Sequence, residues 1–234
     1  MKKLLLVIGL AITLSWLFAN DTIWDNRNSA AGAEKAYTYY KTQYTQKQNY
    51  DSAWQLARAA HFYADFFIKD GELKKKVFAE GKDAALNAVE LNSQDPEGHY
   101  WLGANYGSWA ETNGVLESLN YADDIAAEMT KVIKINPTYK DGTPYAIRAK
   151  VYYKAPGWPL SIGDPKKAGE DFEQALKYAA GKNRKVYRFY AEYLIGKDKA
   201  KALQIAKEGL AIPHDKADKV SEDKEIETLQ KLIK

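Results

Sequence analysis

Apolar residues recur along this chain at three- and four-residue spacing, and period-two alternation never lasts. Ala168, Phe172, Ala175, Leu176 and Ala179 share one helical face, and Tyr121, Ile125, Met129 and Val132 form a second stripe. The pattern predicts an all-α chain with helices over about 33–47, 51–69, 72–92, 97–111, 120–135, 143–154, 165–180, 184–195, 199–211 and 217–233. Local signals mark several ends. Asp164 before Pro165 pairs an N-cap acceptor with a proline suited to the first helical position. Asn120 is expected to cap the next example, with Asp123 and Asp124 near the positive end of the dipole. Gly181 and Gly196 suit helix C-termini.

Comparing the chain with itself reveals a repeat. Ala168, Phe172 and Ala175 recur as Ala202, Ala206 and Gly209, each pair 34 residues apart. That is the period of the tetratricopeptide repeat (TPR), two antiparallel helices per unit with small residues where helices cross and large ones filling the gaps. In this frame Val186, Phe189 and Tyr193 take the large positions of the last unit. The same offsets from Ala53, Ala57 and Ala60 fall on Tyr37, Tyr40 and Tyr44. Leu102, Gly103 and Tyr106 fit a middle first helix. The expected fold is an α-α superhelix of tetratricopeptide-type hairpins over 33–234, with a generic Ala-rich bundle as the alternative. Two insertions break the regularity, one after Tyr106 and one over 155–163.

Composition narrows the function. Of 234 residues, 46% are hydrophobic and 13% aromatic, mostly Tyr, enough for a core of its own. The formal charge of +3 gives no electrostatic reason to expect nucleic acid. The absence of cysteine excludes disulfides, thiol nucleophiles and a lipid-modified N-terminal cysteine. Met1-Lys2-Lys3 followed by an uncharged, mostly apolar stretch from Leu4 to Ala19 has the layout of a bacterial signal peptide over 1–19, cleaved or retained as an anchor. Residues 20–32 read as a linker or a frayed helix start, and the expected address is periplasmic or secreted.

Three segments carry a resemblance. Tyr152 to Asp164 with its Pro156-Gly157-Trp158-Pro159 core, Glu97 to Gly107, and Phe189 to Leu194 resemble the TRAP-transporter T-component family. The resemblance implies a periplasmic tetratricopeptide-like protein that associates with a solute-binding protein, with a hydrophobic cleft and a homo-oligomer as further implications. More distantly, the segment from Tyr100 to Pro137 resembles the regulator of microtubule dynamics proteins, whose cellular role does not suit an exported bacterial chain.

No chemistry-bearing motif appears. His61, His99 and His214 fit no metal spacing, and no nucleophile elbow, P-loop or dinucleotide fingerprint is present. The expectation is a non-enzymatic scaffold without cofactor or metal, binding a protein partner, a small apolar ligand or both. An envelope assembly protein and an unrecognised hydrolase are the alternatives. First helices line the inner face of such a stack, which makes Tyr100, Trp101, Asn105, Trp109, Tyr152, Tyr153 and Trp158 the candidate contact residues. Each could equally be a packing knob.

Overall fold

A computed structural model describes residues 22–234. The signal-peptide reading of 1–19 lies outside them. Eleven helices follow the first turns: α1 (Ala30–Gln46), α2 (Tyr50–Phe66), α3 (Gly71–Leu91), α4 (Pro96–Asn113), α5 (Val115–Asn120), α6 (Ala122–Ile135), α7 (Thr143–Lys154), α8 (Pro165–Ala179), α9 (Arg184–Leu194), α10 (Lys199–Ala211) and α11 (Lys219–Leu232). The described residues hold no strand, only an isolated bridge between Gly157 and Gly163.

The helix ends have chemical causes. Asp70, Asp95, Asp164 and Asp198 each accept from backbone N–H groups at the start of the following helix. Asn49 and Ser52 form a reciprocal capping box on α2. The expectation for Asn120 fails: it closes α5, and Tyr121 precedes α6 without a side-chain cap. The reason is Gly114, whose φ of +107° turns the chain out of α4 and lets the insertion form a short helix of its own. Gly142 also needs its positive φ, +81°, and a Cβ there would meet Ala175 O at 2.6 Å.

Successive helices pack antiparallel in two layers. The inner layer holds α2, α4, α7, α9 and α11; the outer holds α1, α3, α6, α8 and α10. Inner helices also touch inner neighbours: α2 with α4, α7 with α9, and α9 with α11. Small residues make the crossings close. Ala57, Ala60, Ala146, Ala149, Ala168 and Ala175 are all fully buried. Phe172 fills the adjoining gap, its ring 5.4 Å from Tyr190 and 4.9 Å from Tyr193.

One sequence reading needs correction. Tyr37, Tyr40 and Tyr44 lie on an outer helix rather than on the inner helix of a first hairpin. The alanines of α2 serve both neighbours, and its remaining edge, with His61 and Phe66, faces the hollow of the stack. Small residues are needed on both helices of a hairpin, so alanines alone do not tell inner from outer. Of the two readings of the first residues, linker or helix start, 22–28 take the helical form. They form helical turns in which Trp24 is clamped between the guanidinium groups of Arg27 (4.5 Å) and Arg58 (3.8 Å) and packs on Phe62.

Polar ties cross the layers. Arg148 forks onto Asp171 with two 2.7 Å bonds and reaches Thr130, joining α6, α7 and α8. Buried His99 bridges Glu128 (2.5 Å) and the Ser93 carbonyl (3.1 Å). Buried Arg184 donates to the carbonyls of Gly209 and Ile212, which satisfies the end of α10. The two ends of the superhelix also meet. Arg27 pairs with Asp218 (3.0 Å), Asn28 binds Ala217 O and Val220 N, and Lys224 pairs with Asp65 (3.0 Å).

Candidate binding groove

The inner helices enclose a groove of about 490 Å³, with α5 at one rim and α11 across from it. Its wall is apolar where Tyr100, Ile125, Ile147, Val151 and Phe189 contribute. Ala104 and Gly107 on α4 keep that wall shallow and leave room for an occupant, whereas Gly103 makes way for Met129 of α6, which a Cβ would meet at 2.5 Å. Five cations border it, and three are neutralised: Lys150 by Glu111 (3.0 Å), Lys224 by Asp65 (3.0 Å), and Arg188 by Glu225 and Glu192. Lys154 and Lys185 have no ion pair among the described residues, which leaves the groove net positive. A partly buried imidazole, His61, sits in the wall with Nε2 3.1 Å from Ser108 Oγ and its ring against Phe78 and Trp101. Burial, reinforced by Lys185 and Lys224 and opposed by Asp65, pushes its pKa down to about 4, so at neutral pH it presents an uncharged ring.

The seven residues singled out from the sequence divide into three sets. Tyr100 alone lines the groove. Tyr152 and Trp158 line an open cleft of about 630 Å³ on the outside, between α6 and the 155–164 loop, and Trp158 is 90% exposed. The rest pack between elements. Asn105 is fully buried and donates to Ala57 O (3.2 Å) and Trp101 O (2.8 Å). Trp101 lies against Tyr100 (4.9 Å), Trp109 against Tyr121 (5.5 Å), and Tyr153 against Tyr193 (5.2 Å). The groove residues missed from the sequence include Ala104, Gly107 and Glu111, which share one face of α4 with Tyr100 at helical spacing. That face was legible. It is marked mainly by small residues, Ala104 and Gly107, whereas Trp101, Asn105 and Trp109 turn to the packing faces of α4.

The comparisons agree with this architecture. A thermophilic TPR protein of Thermus thermophilus superposes with a TM-score of 0.61 at 16% identity, covering 86% of this chain and 92% of that one. MamA superposes with a TM-score of 0.53 at 17% identity, covering 80% and 92%. At these identities the likeness establishes the TPR-like fold. In sequence, the family model for Regulator of microtubule dynamics protein 1-3 matches residues 20–146. Regulator of microtubule dynamics protein 1 of Bos taurus is 27% identical over 207 residues, 83% of this chain and 64% of that protein. Its counterpart in Pongo abelii is 26% identical over 170 residues, 69% and 52%. The chain therefore spans less than two thirds of the length of these relatives.

These matches overturn the TRAP-transporter T-component resemblance, and the transporter-accessory role goes with it. Its most specific segment, Pro156-Gly157-Trp158-Pro159, is an exposed loop beyond the residues that the family model matches, and a surface loop discriminates poorly between families that share a helical scaffold. The more distant likeness read over Tyr100 to Pro137 falls inside the match. With more than half of its length in that match, this chain belongs to the regulator of microtubule dynamics protein 1-3 family.

Proposed function

We propose that the chain is a non-catalytic interaction scaffold whose groove takes an apolar segment of a partner protein bearing an acidic flank. The observation that carries this reading is the groove itself, apolar along the faces of α4 and α7 and bordered by two lysines that have no ion pair among the described residues. An amphipathic helix or extended segment with anchors at i, i+3 and i+4 suits such a surface. An acid at its end would find Lys154 or Lys185 in a setting where water is partly excluded, which strengthens the pairing. His61, uncharged at neutral pH, adds no repulsion and no cost of burying a charge.

Panning a peptide library displayed on phage against the full chain tests this reading. The expected consensus is apolar with an acidic end. Ala104→Trp, which fills the groove, is expected to abolish capture while leaving the melting temperature within a few degrees. A basic consensus, or capture unaffected by Ala104→Trp, refutes the proposal. Turnover of envelope esters or glycans by the full chain would refute the non-catalytic part.

A further inference from the structure

Because successive helices run antiparallel, the turns of the superhelix fall on two edges. Turns leading from an inner helix to the next outer one span 67–70, 114–121, 155–164 and 195–198, and all lie on one edge. Turns leading back lie on the other. The first edge is apolar at its tips. Leu73 is 45% exposed, Val115 and Leu116 77%, Trp158 90%, Leu160 81% and Ile195 36%. Of the remaining exposed large apolar side chains among the described residues, Leu86 and Leu91 lie toward the far end of α3, and Ile233 follows the end of inner helix α11 and so falls on this edge as well. The two longest tips are neighbours in space. Val115 shares the groove wall with Ala155, and Trp158 shares the outer cleft with Asp123 and Ala126 of the α6 start.

The charges beside these tips have a direction. Lys69 and Lys74 flank Leu73, Lys154 and Lys167 flank the Trp158 loop, and Lys197 flanks Ile195. The aspartates in the same turns, Asp70, Asp164 and Asp198, are engaged by the helix N-termini that they cap, where the helix dipole offsets their charge. Acids without nearby lysines in sequence occur only beside the Val115–Leu116 tip, at Glu117, Asp123 and Asp124.

We propose that this edge docks on an anionic lipid bilayer, with the Val115–Leu116 and Trp158–Leu160 tips seated at the boundary of headgroups and acyl chains and the lysines against phosphates. A protein interface needs a contiguous apolar centre that both sides can close over. Here the apolar points are small, separated by polar backbone, and distributed over four turns, an arrangement that a fluid surface accommodates. A tryptophan at such a tip has the amphipathic ring favoured at the interface, and clustered lysines add attraction to anionic headgroups. No helix among the described residues is long and apolar enough to cross a membrane.

The absence of cysteine makes a direct test available. Leu116→Cys, Leu160→Cys and, on the opposite edge, Ser93→Cys are made singly in the full chain and spin-labelled. Each is then bound to vesicles of phosphatidylcholine and phosphatidylglycerol. The ratio of collisions with oxygen to collisions with a water-soluble nickel complex is expected to be roughly fivefold higher at 116 and 160 than at 93, as for groups at acyl depth. Adding Lys154→Glu with Lys167→Glu is expected to bring position 160 toward the value at 93. The apolar residues of 4–19 could tether the chain to a vesicle, but tethering alone would leave all three labels equally wet, which overturns the proposal. Dipolar broadening between chains at 116 and 160 without lipid depth overturns it in favour of a second copy. An unchanged ratio after the lysine reversals overturns the anionic assignment.

Discussion

His61 gives the groove wall a defined pH response. Its pKa falls from 6.5 in the unfolded chain to about 4 in the fold because burial among Phe78 and Trp101 disfavours the imidazolium. Between those values the unfolded state binds more protons than the native one, so stability is lost as pH falls from 6.5 toward 4. At pH 5, linkage gives a loss of about 2 kcal/mol relative to pH 8, trimmed toward 1 kcal/mol by water at the groove mouth. Urea unfolding of the wild-type chain and of His61→Gln at both pH values measures it. Glutamine retains a partner for Ser108 and cannot titrate, so the difference between the two pH dependences isolates His61 from His99, His214 and the carboxylates. The variant is expected to lose about 1–2 kcal/mol less than wild type on going to pH 5. Equal losses, within about 0.3 kcal/mol, would refute the claim that the ring is buried uncharged.

Three further outcomes follow from packing and polar ties. Gly209→Ala places a Cβ 2.8 Å from Tyr187 Cβ and is expected to cost about 1–3 kcal/mol in denaturant melts, whereas Gly71→Ala meets nothing within 4 Å and is expected to be neutral or stabilising by about 0.5 kcal/mol. Glu225→Ala removes a carboxylate that is 3% exposed and leaves Arg188 with Glu192 alone; the expected loss is about 2–4 kcal/mol, and a loss below about 1 kcal/mol would mean that the pair is hydrated. Asn28→Ala cuts both bonds between the first turns and the start of α11; global stability is expected to change by less than about 1 kcal/mol while amide exchange at Val220 accelerates at least tenfold.

The helices and much of their capping chemistry were determined locally. The spacing of Ala168, Phe172 and Ala175 and the Asp164-Pro165 pair act within one or two turns, and α8 appears where they place it. The same holds for the two-layer stack, since alanines at 34-residue intervals leave few other ways for helices to cross. Which layer a helix joins was decided elsewhere. Alanines line both sides of a crossing, so Tyr40 on α1 could be read as an inner residue until α2 was seen to turn His61 and Phe66 to the hollow. The groove depended on the same information. Trp101, Asn105 and Trp109 share α4 with Tyr100, yet only Tyr100 reaches the groove, because the neighbours of α4 claim its other faces. Periodicity states that a helix has faces, whereas what each face meets is fixed by residues far along the chain, such as Phe189 and Glu225 opposite α4. Short-range spacing therefore specified the parts, and only long-range packing specified where they leave space.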